Sequence, residues 1–491
     1  MATEDYFNGG RSALTQLLST VGVEVDSTTS SENSDDTSTD DSEKGGLIHR
    51  DFIQELMSNI AKKRIIDSSS PSPPKRARRR RWRWKAKLPY TSSMFYRDYH
   101  NPKVRLTGTA DAKEFRLNYR MPWSQAHKIV RKFVERGWVV SEAHPAHHMM
   151  TSWMCPPEIK ILGTLYWLGE GCTFRTIHNL SGRTLSAYSF CKFAKKFCHK
   201  MAQSMIEESI KIPATVQELQ RISAVYHRMG FPGACGSTDG VQIPWEGCPF
   251  AYRISFTGKE GYPTLGFNVT VAHDMQILHV VATFAGRFND KTKILHDGYV
   301  DRLRSGFYDG FKYHMFDAHG ERVECDVPYV ICDNGYHKWL QLICPFKTTS
   351  KAHLALWSKL LESVRKDVER TFGVMKKRFR ILKVPILFRD AAVVQDIFLT
   401  CCVLHNMLLK FDKQFDNGEF QFGVSEDTAP NTRRRILVNN VRRLLRAGDD
   451  FSYMGVSETL DTEVDTGFES FRKKLATHTY YCYMNKLILK E

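Results

Sequence analysis

The chain has no pair of cysteines at Cys-x-x-Cys spacing; its twelve cysteines are scattered through 491 residues. Inside a cell such cysteines read as reduced, mostly buried thiols, and no disulfide framework is implied. The first residues, MATEDYFNGG, carry neither the basic start nor the apolar run of a secretory signal, so the chain is expected to stay intracellular. Uninterrupted apolar sequence is also lacking. The most apolar long stretch, residues 391–409, contains Gln395, Asp396, His405 and Asn406, which argues for a buried helix and against a membrane span. Acidic residues are in deficit: 54 Asp and Glu face 70 Lys and Arg, a net charge of +16. That balance favours a polyanionic partner, nucleic acid first, over an acidic small molecule.

What is present divides into tracts. Residues 27–45 (STTSSENSDDTSTDDSEKG) are acidic, serine-rich and poor in apolar groups, so they cannot offset the entropy of ordering and are expected to be disordered. After the Ser/Pro run 68–74 comes KRARRRRWRWKAK at 75–87, in which nine of thirteen residues are basic and Trp82 and Trp84 are interleaved. Arg78, Arg79, Arg80 and Arg81 suit a nuclear import signal or an arm gripping phosphates, and the indoles can stack on bases. Residues 156–201 then read as short helices. Pro156 and Pro157 suit a helix start, Gly169 and Gly171 a break, Thr173 a cap, Ser181-Gly182 a turn, and Thr184 the cap of a third helix carrying Phe190, Phe193, Phe197 and Met201. This is a helix-turn-helix outline, in which Arg183, Ser186 and Tyr188 meet base edges while Lys192, Lys195 and Lys196 meet phosphates; a plain helical bundle gives the same pattern.

From 232 to 382 the periodicity changes. Ala234–Ile243, the alternating Leu265, Phe267, Val269 and Val271, and the apolar run 277–285 predict three successive strands, the last two joined as an antiparallel hairpin. Residues 287–305 have mixed helical periodicity, and Val327–Cys332 is a short strand ending at Asp333. Leu361, Val364, Val368, Phe372, Met375, Phe379 and Leu382 predict one long helix with a single apolar stripe.

Three acids stand out by position. Asp239 lies in the first strand region, Asp333 follows the fourth, and Glu369 rides on the long helix beside its stripe, so a mixed sheet with that helix packed on it gathers all three. Each alone also reads as ordinary: Asp239-Gly240 and Asp333-Asn334-Gly335 are turn sequences, and Glu369 suits a surface ion pair. Hydrolysing a phosphodiester requires activated water and a stabilised leaving oxygen, which two divalent ions roughly 3.5–4 Å apart supply. Clustered carboxylates are costly without such a cation, and hard cations take oxygen ligands. Lys376, Lys377 and Arg380, near the same helix face as Glu369, suit a phosphate backbone. His144, His147, His148 and Cys155 match no standard zinc spacing, and Cys401, Cys402, His405 and Asn406 are read as core.

The motifs GFPGACGSTDGVQIPW (230–245), GYPTLGFNVTVAHD (261–274), FAGRFNDKTKI (284–294), VPYVICDNGYHKWLQLICPF (327–346), VRKDVERTFGVMKKRFRIL (364–382) and CCVLHNML (401–408) resemble, in order, the transposases of the PIF/Harbinger superfamily. The resemblance is strong over about 230–410 and looser over about 110–206. It implies an α/β, ribonuclease H-like catalytic fold: a mixed sheet flanked by helices, behind a helical, helix-turn-helix-bearing region. It also implies a D, D, E site of Asp239, Asp333 and Glu369 holding two Mg2+ or Mn2+ ions. Thirty-five residues separate Asp333 from Glu369, the gap familiar from that class. The family often has a histidine soon after the first aspartate, where this chain has Val241-Gln242. Asp290 is a rival for the second aspartate or an auxiliary acid; Asp333 is preferred because the end of the fourth strand sits beside the first.

The expected organisation is a mostly disordered tail with the basic arm over 1–90, a helical region over 91–206, a catalytic domain over 207–412, and a partly helical extension over 413–491. The expected activity is cutting of double-stranded DNA at transposon ends and joining of the 3′ hydroxyl to target DNA, in the nucleus. Partners are DNA, a Myb-like accessory protein and further copies of the chain on DNA. The alternative is a domesticated DNA-binding protein that does not cut; a nuclease of RNA is the third reading.

Overall fold

The computed structural model describes residues 89–139, 155–414 and 463–487. The acidic tract, the basic arm with Arg78–Arg81, and His144, His147 and His148 lie outside them.

Helices α1 (Met94–His100), α2 (Ala110–Tyr119), α3 (Trp123–Glu135), α4 (Pro157–Glu170), α5 (Phe174–Leu180) and α6 (Ala187–Ser204) make up the helical region. Their starts follow from side chains that satisfy otherwise orphaned N–H groups: Thr109, Thr173 and Ser186 each accept from the backbone N–H three residues on. Pro157 opens α4, and Gly171 closes it at φ +62°, where any side chain would press on Val384. Phe190, Ala194, Phe197, Cys198 and Met201 give α6 one buried stripe, and Phe197 stacks on Phe133 of α3 with ring centroids 4.8 Å apart.

The turn before α6 differs from expectation. Thr184 is buried and does not cap the helix; Ser186 does, accepting from Ser189 N at 3.1 Å. Gly182 and Arg183 are both left-handed (φ 64° and 59°), and the His178 ring donates to the Leu185 carbonyl at 2.6 Å, so the turn extends to residue 186. Arg183 and Ser186 therefore lie in the turn, and only Tyr188 is in the helix's first turn.

After α7 (Val216–Arg228) comes the sheet: β1 (Ala234–Pro244), β2 (Thr264–Val271) and β3 (Ile277–Ala285) are antiparallel neighbours. Helices α8 (Asp290–Ile294) and α9 (Gly298–Arg304) follow, then a separate hairpin of β4 (Tyr313–Phe316) and β5 (Arg322–Cys325). β6 (Tyr329–Ile331) and β7 (Leu342–Ile343) extend the sheet in parallel, giving the order β3-β2-β1-β6-β7. The long helix α10 (Ala352–Arg378) packs on β1, β2 and β6, α11 (Ala391–Gln414) on β2 and β3, and α12 (Phe468–Met484) on α10 and β4. The chain is thus a mixed α/β structure with a mixed sheet flanked by helices.

Strand alternation places Val241 and Ile243 on one face of β1, against Val368, Phe372 and Met375 of α10 and Val394, Ile397 and Phe398 of α11. The same apolar core includes Phe95 and Ile129, so packing runs without a break across residue 206, and helices continue beyond it until β1 begins at Ala234. A second core joins Ala234, β6, Tyr299 and Val300 of α9, the first half of α10, and Phe468, Phe471 and Leu475 of α12. Phe379 and Leu382 are buried as the stripe predicts, but α10 ends at Arg378 and they sit on a short 3-10 turn beyond it. Among the described residues 391–409 is the one stretch long and apolar enough to cross a membrane, and 78% of its apolar window is buried inside this fold. Asn406 explains one of its polar groups: its amide bonds both the N–H and the carbonyl of Ile277, at 2.9 and 2.8 Å, tying α11 to the start of β3.

Candidate active site

Asp239 shares the β1 face of Val241 and Ile243, so alternation aims it at α10. Asp333 follows β6, which runs parallel to β1 beside it, with Ser237 opposite Ile331. The parallel pairing therefore sets the two acids side by side. Each carboxylate is held by a nearby glycine: Gly240 N donates to Asp239 Oδ1 at 2.8 Å, and Gly335 N to Asp333 Oδ1 at 2.7 Å. Asp290, first residue of α8, enters between them. A Cβ on Gly240 would lie 2.6 Å from Asp290 Oδ1, and one on Gly335 would lie 3.0 Å from Asp333 Oδ1 and 3.6 Å from Asp290 Oδ2. At Gly240, which reads as a turn residue, the approach of a third carboxylate also leaves no room for a side chain.

Electrostatics follows from this crowding. Burial, and then the charge of Asp333, push the Asp239 carboxyl up to about 7, with Asp290 adding to the rise. Burial also raises Asp333, against the Gly335 hydrogen bond, with Asp290 and Glu362 contributing. Two cations offset part of the charge. Lys293, 2% exposed, pairs with Asp290 at 3.0 Å. Arg365 of α10 reaches Glu362 at 2.9 Å, Glu369 at 2.8 Å and Asp239 at 3.7 Å.

Of the three acids expected to converge, Asp239 and Asp333 meet directly. Glu369 joins them through the Arg365 guanidinium, and its side chain is 45% exposed. Among the described residues no three His, Cys, Asp or Glu side chains form a ready cage for a metal ion. The donor chemistry nevertheless fits a hard divalent cation: every group is a carboxylate oxygen, and an Asp239 that holds its proton to about pH 7 marks a cluster that Arg365 and Lys293 leave under-neutralised.

A buried polar network supports the loop after Asp333. Tyr336 donates to Asn268 Oδ1 at 2.6 Å; Asn268 Nδ2 donates to Thr238 at 2.9 Å and to Asp297 at 3.0 Å; Asp297 in turn accepts the first N–H groups of α9. Asn268 and Asp297 are fully buried. Replacing Tyr336 by Phe strands a buried acceptor and is expected to lower unfolding free energy by about 1–3 kcal/mol. A Tyr336→Phe chain melting with the wild type would mean that this network does not hold Asp333 in place.

The residues singled out for DNA contact are dispersed. Tyr188 and Lys192 are at or near the surface of α6, and Arg183 is exposed on the turn. Lys195 lies over the Phe388 ring at 4.7 Å, and burial lowers Lys376. Lys377 and Arg380 are exposed at the end of α10. Sequence reading missed Arg365, Glu362, Lys293, Asn268 and Tyr336. Glu362 carried a usable signal, standing seven residues before Glu369 and so two helical turns back on the same face.

Residues 208–416 match the family model described as plant transposon protein. The chain is similar to "Protein ALP1-like" of Arabidopsis thaliana, 23% identical over 261 residues that make up 52% of this chain and 61% of the relative. No solved structure matches it. The matched segment holds the whole sheet, all three expected acids, Arg365 and Asp290, and over it the chain is similar to plant transposon proteins, in keeping with the resemblance to PIF/Harbinger transposases.

Proposed function

We propose that the chain is a metal-dependent DNA endonuclease of transposase type. Asp239, Asp333 and Glu369 would hold Mg2+ or Mn2+, with Asp290 as an auxiliary acid. The observation carrying this reading is the meeting of acids from three chain segments at a place where Asp239 is held near pH 7. Two divalent ions bound there supply an activated water and stabilise the leaving oxygen of a phosphodiester. The strand order, three antiparallel strands and then two parallel ones beside β1, supports a ribonuclease H-like reading of the sheet. We assign residues 91–206 to helix-turn-helix-type DNA binding, with Arg183 and Tyr188 toward bases. Lys376, Lys377, Arg380 and the Arg78–Arg81 arm are assigned to phosphates. The same arm serves nuclear import, and the full reaction joins cut transposon ends to target DNA, with further copies of the chain and a Myb-like protein as partners.

Glu369's engagement with Arg365 favours a second reading, a transposase-derived protein that binds DNA without cutting it. Nicking of supercoiled DNA in Mg2+ or Mn2+ separates the two. The endonuclease is expected to lose cutting on the order of a thousandfold or more in Asp239→Asn, Asp333→Asn and Glu369→Gln, while DNA binding is retained, because one missing ligand unmakes the paired-ion site. Activity surviving in Glu369→Gln but lost in Glu362→Gln would reassign the third acid. A wild-type chain that binds DNA and never nicks it is the second reading.

A further inference from the structure

The loop that follows Asp333 is fastened by a segment from far along the chain. Residues 463–465 lie beside it as a short parallel strap, outside the matched segment 208–416 that holds the acids. Lys338 N donates to the Glu463 carbonyl at 2.8 Å, and Asp465 N to the Lys338 carbonyl at 3.0 Å. Side chains add to these backbone bonds. The Trp339 indole donates to Glu463 Oε2 at 3.0 Å, Leu340 N to Asp465 Oδ2 at 2.9 Å, and Glu463 N to His337 Nδ1 at 3.3 Å. Every residue from His337 to Leu340 is thus bonded to the strap. Arg304 of α9 closes the arrangement, lying 3.7 Å over the Trp339 ring and 3.7 Å from Asp465.

Through that loop the strap is placed to act on the acids. The loop leaves Asp333 and carries Gly335, whose N–H holds the Asp333 carboxylate, and Tyr336, which is anchored inward on Asn268. His337 stacks on Trp339 with ring centroids 4.9 Å apart, and its ring faces Lys291, the residue after Asp290. A shift at 337–340 therefore reaches two of the acids. The strap's contribution to stability is small by comparison, since Glu463 and Val464 are exposed and water replaces bonds lost there. Burial of Tyr336, His337 and Trp339 keeps the loop on the protein without fixing it at one position. Position is what matters here, because groups that bind a metal ion have to be held within roughly 0.5 Å of their working geometry.

We propose that Glu463 and Asp465 are positioning residues for the metal site, fixing the loop that sets Asp333 and, through His337, the start of α8 that sets Asp290. This rests on the reading of those acids as metal ligands, and adds that residues beyond the matched segment tune how tightly the ion is held. Partners that orient metal-holding side chains govern affinity or activity by roughly 10–100-fold.

The test titrates the full chain with Mn2+ and follows the free ion by electron paramagnetic resonance, with melting temperature and nicking measured alongside. Glu463→Ala/Asp465→Ala is expected to weaken Mn2+ binding roughly tenfold or more and to raise the Mn2+ needed for half-maximal nicking by the same factor. Its melting temperature without metal should fall by only a few degrees. Glu463→Gln/Asp465→Asn keeps the acceptors while removing the charges, and is expected to bind Mn2+ like wild type. An alanine variant with wild-type Mn2+ affinity would overturn the proposal. So would a Gln/Asn variant as weak as the alanine one, which would make the effect one of charge, or an alanine variant that no longer folds, which would make the strap purely structural. A wild-type chain that binds no Mn2+ sinks the metal reading itself, and the positioning role with it.

Discussion

Without divalent cations, the protein is expected to lose stability as pH rises from about 4 to 7, and the Asp239→Asn chain to lose much less. The folded pKa of Asp239 is raised, up to about 7, above the ordinary carboxylate value. Below pH 4 both the folded and the unfolded chain hold this proton, and no difference arises. Between the two values the unfolded chain releases it while the folded chain keeps it, so each pH unit costs about 1.4 kcal/mol. Above pH 7 the deficit is complete and constant, on the order of 4 kcal/mol. Thermal melts of the two chains should therefore diverge across this window, with the variant the more stable at neutral pH. Mg2+ should narrow the gap by stabilising only the wild type. Parallel curves would mean that Asp239 is not under the electrostatic load its burial and Asp333 imply.

The opposite sign is expected at Asp290. Its carboxylate pairs with Lys293 at 3.0 Å, and Lys293 is almost wholly buried against Gly240 and Gly266. Asp290→Ala leaves that ammonium without its partner and is expected to cost about 3–5 kcal/mol, whereas Asp290→Ala/Lys293→Met removes both charges and should recover most of the loss. The pair of variants also settles what Asp290 does in cutting. A double variant that folds and nicks DNA makes Asp290 a support for the site, while one that folds and never nicks makes it a working acid. Asp290→Ala as stable as the wild type would show that Lys293 finds water or another partner, and that the buried pair adds nothing to stability.

Much of this arrangement is legible in the chain's own periodicity. Alternation in residues 265–271 and the stripe on α10 are direct prints of a strand and a helix facing one core, and the position of Asp333 at a strand end is a property of local sequence. What could not be read depends on tertiary partners. β5 is exposed along nearly its whole length and so has no apolar pattern, and β7 is two residues long. α12 buries Arg472, His478 and Thr479, polar groups that pass for surface residues in a periodicity argument. Their burial makes sense only against distant backbone: Thr479 donates to the Gly230 carbonyl at 2.7 Å, and His478 Nδ1 accepts from Phe316 N at 2.8 Å. That second bond needs a neutral ring, in keeping with burial holding His478 down at about 4. Arg365 was hidden for a similar reason, since a basic residue on a long helix looks like a solvated face until the sheet brings Asp239 to it.

The placement of α12 has a consequence for synthesis on the ribosome. Every acid of the cluster, and every strand of the sheet, has been made once translation passes residue 369, and the family match ends at 416. Yet Phe468, Phe471 and Leu475 still have to fill the second core, and Thr479 has to reach a carbonyl 249 positions upstream. A nascent chain at that stage holds its chemistry on an uncovered apolar flank, the condition in which chaperones are engaged and aggregation competes with folding. A stop codon or frameshift anywhere between 417 and 467 would therefore spare the acids and still silence the protein, through misfolding and turnover.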